Sequence, residues 1–309
     1  MRIGLTGFGR TVDQVVRQAE RAEADGFTSL WYPSSVAGDP LVAMAIAGRA
    51  TSRIELGTAI LQTYPCHPTL MAARAASTAA AIGAADRFTL GVGPSHRPVI
   101  EGVLGLSYAS PGRHTDEYVR IVTTLLRGDP VRIAGEDFRV DAGPPPLADG
   151  AEVPVLVAAL APHLLRVAGQ HAAGTIAWMA NATAVEEHVA PRLRAAADAA
   201  GRPAPRIVAG LPVAVHDDVA EARAVAAELF AVYGTLPNYR RILERGRVTG
   251  PADAAVVGDE AGVAAQVEAL FDAGATDMWA APFAVGDDAS ASRARTRALL
   301  EELAASGAG

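Results

Sequence analysis

There is no lysine in this chain of 309 residues, and all 27 of its basic side chains are arginines. That absence excludes a Schiff-base lysine, a pyridoxal phosphate anchor and the lysine of a Walker phosphate loop. Cysteine is almost as scarce. Cys66 stands alone, so neither an intrachain disulfide nor a CxxC metal knot can form, and a reducing, cytoplasmic setting is expected. A basic stripe or tail is not evident, since 34 acidic groups against 27 basic ones leave a formal net charge of -7. No nucleic-acid partner and no anionic membrane partner are therefore expected. The longest apolar runs, such as Val153 to Pro162, are too short to span a bilayer. Met1 to Leu5 enters a strand at once, with no apolar signal core before it.

What is present is a core-forming chain, 50% hydrophobic, with no midpoint linker, internal repeat or low-complexity stretch. One domain over residues 1–309 is expected. The stretch that organises it runs from Arg53 to His96. Ile54 to Leu61 reads as a buried strand that breaks at Gln62-Thr63-Tyr64-Pro65-Cys66. His67-Pro68 then starts a helix of small residues reaching about Ala81. After Gly83, Arg87 to Gly93 reads as a second strand, stopping at Pro94-Ser95-His96. Strand, helix and parallel strand form a βαβ unit with glycines near both strand carboxyl ends. Glycine there lets a flat ligand approach the backbone, because no Cβ stands in the way. These two strand ends are the expected floor of a cofactor site.

The same alternation runs through the rest of the chain. Strands one and two are predicted at Ile3–Leu5 and Ser29–Tyr32. Thr11 is placed to cap the first helix and Asp39-Pro40 to open the second. After strand four comes a loop from Gly102 to Pro111, a helix from Arg113 to Arg127 and a small hairpin from Val131 to Val140. Strands five to eight fall at Val153–Val157, Gly174–Trp178, Arg206–Val215 and Thr276–Ala280, with helices between them. Eight strands alternating with helices predict an α/β fold, a (β/α)8 TIM barrel with insertions after strands four and seven. An open doubly wound sheet is the competitor, disfavoured because nothing divides the chain at its middle. A barrel carries its chemistry at the strand carboxyl ends.

Several residues there are candidates. Gly91-Val92-Gly93-Pro94-Ser95-His96 matches a dinucleotide fingerprint only in part, because the third glycine is missing and Pro94 disrupts the turn. His96, just past a strand end, can donate a proton near neutral pH; a hydrogen-bonded structural histidine is the plainer reading. His67-Pro68 is a helix start. The seven histidines are scattered, so no metal site is expected. Ala158-Ala159-Leu160-Ala161-Pro162 joins strand five to a helix, where small residues expose N–H groups able to seat a phosphate. Arg166, one turn on, reads as a solvated side chain. Trp31, Trp178 and Trp279 fall on strands two, six and eight and suggest the wall of a pocket for a planar ligand, with ordinary barrel filling as the rival. No Ser-His-Asp order, nucleophile elbow or paired-carboxylate arrangement emerges.

Taken together, these runs resemble the luciferase-like flavin oxidoreductase family. The resemblance is carried by Ala22 to Trp31, Asp39-Pro40-Leu41, Ala50 to Thr58, Tyr64 to Pro68, Arg87 to Gly93 and Gly174 to Met179, in that order over nearly the whole chain. Ser95-His96, Ala158 to Pro162 and Gly201 to Arg206 are similar to the actinobacterial subgroup that uses the deazaflavin coenzyme F420. The resemblance implies a (β/α)8 barrel with the flavin or deazaflavin across the strand carboxyl ends. It further implies a bulge with a cis peptide bond at Ala59-Ile60, with Gln62 near the ring edge. Gly91 and Gly93 would floor the ring, Ser95 and His96 would sit at its rim, and Ala158, Ala159, Leu160 and Ala161 would offer backbone donors to the phosphate. Many relatives carry Asp-His after the strand-two tryptophan region, the histidine being a proton donor; here the run is Tyr32-Pro33-Ser34-Ser35.

The expected activity is hydride transfer between coenzyme F420 and a small organic substrate. An FMN-dependent monooxygenase is the alternative, and a flavin-binding protein without turnover is a third reading. Substrate choice is expected in the Gly102–Pro111 loop and between Tyr233 and Gly258. A homodimer is implied by analogy alone.

Overall fold

The computed structural model describes residues 1–146 and 152–306. Its first strand, β1 (Arg2–Thr6), leads into α1 (Val12–Ala24), capped by Thr11, whose hydroxyl accepts from Gln14 N at 3.3 Å. Next come β2 (Ser29–Tyr32) and α2 (Pro40–Ala50), where Asp39 Oδ1 accepts from Leu41 N and Pro40 opens the first turn. The third predicted strand is two pieces, β3 (Glu55–Thr58) and β4 (Leu61–Gln62), interrupted where a cis peptide bond joins Ala59 and Ile60. α3 (Pro68–Ile82) returns to β5 (Phe88–Gly93).

The insertion after β5 holds the short α4 (Arg97–Ile100), α5 (Pro111–Leu126) and an antiparallel hairpin of β6 (Val131–Ala134) and β7 (Arg139–Ala142). Glu117 on α5 fastens the hairpin turn by accepting from the backbone N–H groups of Glu136, Asp137 and Phe138. β8 (Val155–Val157), α6 (Pro162–His171) and β9 (Gly174–Trp178) follow. The helix predicted from Val185 is built in three parts: α7 (Ala182–Ala184), a π-helical turn Val185–Val189 and α8 (Ala190–Ala199).

β10 (Arg206–Val215) opens the second insertion, with α9 (Val219–Leu229), α10 (Pro237–Arg245), α11 (Pro251–Ala254), β11 (Val256–Gly258) and α12 (Glu260–Asp272). β12 (Asp277–Pro282) and α13 (Ala289–Ser306) complete the described chain. α11 and β11 were not expected. β11 is too short to carry a pattern, and it forms by pairing with Val213–Val215 at the outer end of β10.

The parallel strands close a ring in the order β1, β2, β3 with β4, β5, β8, β9, β10, β12 and back to β1. This is the expected (β/α)8 barrel, with the expected insertions. Among the described residues no helix is long and apolar enough to cross a membrane.

Side chains that alternate inward fill the barrel in layers. At the strand amino ends, Arg206 pairs with Glu55 (2.7 Å) and Asp277 (2.6 Å), and Arg2 pairs with the same two carboxylates at 2.6 and 2.8 Å. Above them Trp31, Leu156, Ile176, Val208 and Trp279 form one apolar cluster. Glycines make room for the rings: a Cβ on Gly57 would lie 2.3 Å from Trp31, and one on Gly210 would lie 2.3 Å from Trp279. Trp31 is fully buried, its Nε1 donates to Ser29 Oγ at 2.9 Å, and the Arg206 guanidinium lies 5.5 Å from its ring centre. It fills the barrel and does not wall a pocket, a correction to the sequence reading.

Candidate active site at the barrel mouth

Near the carboxyl ends of five of the strands stand Thr6 on β1, Ala59 after β3, Gly93 on β5, Ala158 after β8 and Trp178 on β9. Four of these five residues are no larger than threonine and stand beside one indole. Ala59, Ile60, Ala158 and Trp178 are all half-buried and belong to the apolar cluster beneath. Gly93 touches two of them. A Cβ there would lie 2.8 Å from Ala158 Cβ and 3.4 Å from Ile60. The structure thus brings Ala59, Ile60, Gly93, Ala158 and Trp178 together.

Gly91 has a different reason to be glycine. A Cβ on it would sit 1.9 Å from the Thr58 carbonyl oxygen, and the Thr58 hydroxyl bonds its N–H (2.8 Å) and its C=O (2.7 Å). It is cleared for the neighbouring backbone of the bulge, one layer below Gly93. The sequence reading, which put Gly91 under a ligand, is corrected to that extent.

Gln62 and Ser95 meet at the rim, Gln62 Nε2 donating to Ser95 Oγ at 3.3 Å. Ser95 has a left-handed backbone (φ 60), which turns the chain sharply out of β5. His96 follows it, half-buried, with its ring 5.5 Å from that of Tyr239 on α10.

The loop from Ala158 to Ala161 is less uniform than the sequence suggested. The Ala158 N–H is bonded to Val92 O at 2.8 Å, and the Ala159 methyl is fully buried in the outer core. The Leu160 carbonyl accepts from His188 Nε2 at 2.8 Å. Ala161 is exposed as the cap residue of α6. The Ala158 N–H is thus used within the barrel, and its methyl joins the apolar cluster of Ile60 and Trp178.

Sequence reasoning missed the side chains that the two insertions bring to the rim. Tyr108 reaches back from the Gly102–Pro111 loop and donates to Ser95 O at 2.8 Å. Tyr64 lies between Tyr108 (centroids 5.5 Å) and His114, on which it stacks at 3.9 Å. Phe230, Tyr233 and Tyr239 come from the insertion between β10 and β12, and Tyr233 packs edge-on to Trp178 at 5.7 Å. Thr6 was findable, being two residues beyond the inward Gly4. Tyr64 and Tyr108 stand in irregular segments, where no period points to them, whereas Tyr239 lies on a helical segment.

A model of the luciferase-like monooxygenase family matches residues 3–307. This chain belongs to that family. It spans 62% of the length of the first curated relatives it matches, uncharacterized proteins of Mycobacterium bovis and Mycobacterium tuberculosis that are 30% identical over 186 residues. A putative coenzyme F420-dependent oxidoreductase of Mycobacterium tuberculosis is 32% identical over 120 residues, 38% of this chain and 34% of that one. Among solved structures, the coenzyme F420-dependent tetrahydromethanopterin reductase of Methanopyrus kandleri superposes with a TM-score of 0.77 at 19% identity, covering 98% of this chain and 97% of that one. The FMN complex of the oxygenating constituent of 3,6-diketocamphane monooxygenase from Pseudomonas putida superposes with a TM-score of 0.71 at 19% identity, covering 98% and 97%.

In this luciferase-like chain the run Tyr32-Pro33-Ser34-Ser35 supplies no imidazole. Tyr32 is fully buried against Gly7, and burial alone pushes its phenol far above the ordinary range, so it is no acid. At the rim, burial first and neighbouring charges second push Tyr64 and Tyr108 up to about 12, which keeps both as neutral hydrogen-bond donors. Burial also lowers the pKa of His96 below its ordinary value. That favours its neutral ring over the charged form. Among the described residues no group of His, Cys, Asp and Glu is arranged to hold a metal ion.

Proposed function

We propose that this chain is a deazaflavin-dependent oxidoreductase that passes hydride between coenzyme F420 and a small organic substrate. The observation that carries the reading is the top layer of the barrel, where Ala59, Gly93 and Ala158 leave a shelf at the level of Trp178. A planar ring would rest on such a layer, since larger side chains at these positions would stand in its way. Ile60 and Gly93 would support the ring, Gln62 and Ser95 would meet its polar edge, and Trp178 would close one side. The N–H groups of Ala159 to Ala161 and of the α6 first turn would take a phosphate. When bound, the deazaflavin supplies a carbon centre that accepts or releases hydride and reacts poorly with oxygen.

The protein's own part is alignment and exclusion of water. His96 stands where a proton can be given to or taken from a substrate atom, and its lowered pKa suits it to hold that proton loosely. Similarity to a putative F420-dependent oxidoreductase supports the deazaflavin reading. The monooxygenase similarity favours FMN as the second reading. Reduced cofactor on the purified protein separates the two in air. Slow oxidation of bound deazaflavin, together with hydride transfer to a carbonyl or imine panel, is expected. Rapid oxygen consumption with reduced FMN overturns the proposal.

A further inference from the structure

The sequence has no run of basic residues, yet the fold gathers four arginines along one groove. Beside β1 and α1 runs a groove of about 1040 Å³ whose lining includes Arg10, Arg17, Arg21 and Arg297 and no acidic residue. The whole chain carries a net charge of -7, so this concentration of positive charge runs against the molecule. Arg297 is paired with Asp25 and Glu301, and Arg21 lies 3.6 Å from Asp25. Arg10 and Arg17 have no carboxylate within 4.0 Å among the described residues. Both are exposed, and both line the same groove.

The wall that carries them is fixed in advance. Gln18 Oε1 accepts from Phe8 N at 2.9 Å and Gln14 Oε1 accepts from Arg10 N at 2.8 Å, so α1 holds the loop after β1 in place. Gln18 Nε2 also donates to Thr6 O at 3.2 Å. That loop displays the Phe8 ring, 67% exposed, across from Pro33 and Val36. The groove therefore offers an aromatic face and two free cations, and arginine is suited to bidentate contact with carboxylate or phosphate. Its inner end is Thr6, whose hydroxyl accepts from Trp279 Nε1 at 2.8 Å, and Trp279 packs on Trp178 at 4.9 Å. The groove opens at the strand ends where the shelf lies.

We infer that this groove binds a small organic polyanion with an apolar or aromatic body, two or more of its carboxylate groups resting on Arg10 and Arg17. Its place on the same rim suits the anionic arm of the substrate, and that last step alone rests on the redox reading of the shelf. The binding itself does not.

Calorimetric titration of the cofactor-free protein with benzene-1,3,5-tricarboxylate and with citrate at about 20 mM salt tests it. The wild type should bind the aromatic tricarboxylate at least about fivefold more tightly than citrate, and both should weaken at about 200 mM salt, where exposed charges are screened. R10Q/R17Q should lose at least about tenfold for both anions. Phe8→Ala should lose the preference for the aromatic one. Arg120→Gln, in the separate groove between α5 and β6, should change nothing. Unchanged affinity in R10Q/R17Q with an intact near-ultraviolet spectrum overturns the inference, as does absence of wild-type binding at about 1 mM. Failure of cofactor binding or turnover, with anion binding intact, would count against the redox reading alone.

Discussion

The two ends of this barrel are built on opposite plans. At the strand amino ends, Arg2, Glu55, Arg206 and Asp277 meet in a closed set of ion pairs over Trp31, each carboxylate having two guanidinium partners. Near the carboxyl ends the residues shrink to Thr6, Ala59, Gly93 and Ala158, and the Trp178 indole N–H is buried without a hydrogen-bond partner. The first end has every charge answered and has nothing left to offer a ligand. The second end carries small residues on a frame that is already held below. A chain that fixes one end of its barrel so tightly can afford small side chains at the other, and the division matches the general placement of stability and chemistry in such folds.

The sharpest break comes from Arg206→Met. It removes one of the two guanidinium partners of both Glu55 and Asp277 and leaves Arg2 alone to hold them, so a loss of about 3 kcal/mol in urea unfolding is expected. That variant also has a pH signature. Burial alone would raise Asp277, but hydrogen bonds and charge from Arg206, with help from Thr276 and Arg2, hold its carboxyl below the usual carboxylate range. A depressed folded pKa gives stability that is present above about pH 4 and is lost as pH falls through the folded value. The wild type should therefore weaken on acidification below about pH 4, and the gap between it and Arg206→Met should narrow there. A gap that stays constant from pH 7 to pH 3 would mean that Asp277 is not held by this cluster.

A smaller loss is expected between the two ends. Gly91→Ala drives a Cβ against the Thr58 carbonyl, and relieving that overlap should cost about 2–3 kcal/mol. Near-zero cost in thermal unfolding would show that the bulge is loosely held. Trp178→Phe, at the mouth, should change stability by less than about 1 kcal/mol, because its N–H has no bond to lose. Ring-ligand affinity, read by fluorescence quenching, should nevertheless fall about fivefold. His96→Ala should be the mildest in stability, within about 0.5 kcal/mol, while a working hydride-transfer assay loses about 100-fold. An unchanged rate would remove His96 from the chemistry.

The amino end of the barrel was legible in parts and the mouth in outline. Period and caps placed β1, β2, α1 and α2 nearly to the residue, because Thr11, Asp39 and Pro40 act locally. The pairing of Arg206 with Glu55 and Asp277 was invisible, since it joins residues 151 and 71 positions apart. Alternation puts Gly91 and Gly93 on one face of β5. It does not distinguish Gly91, whose missing Cβ answers to the Thr58 carbonyl, from a glycine cleared for a ligand. Tyr108 arrives on a loop that has no period, and Tyr239 on a helix whose period does not say which wall of the mouth it faces. The arginine face of α1 was overlooked because a net charge of -7 averages over a groove that carries the other sign.

Side-by-side equilibrium titration of the purified protein with coenzyme F420 and with FMN, both followed by fluorescence quenching, tests most directly whether the mouth is a seat for a planar redox ring. Saturable one-to-one binding is predicted, with the deazaflavin at least about tenfold tighter than FMN. Tighter binding of FMN, or no binding of either ring by a folded protein, would contradict it.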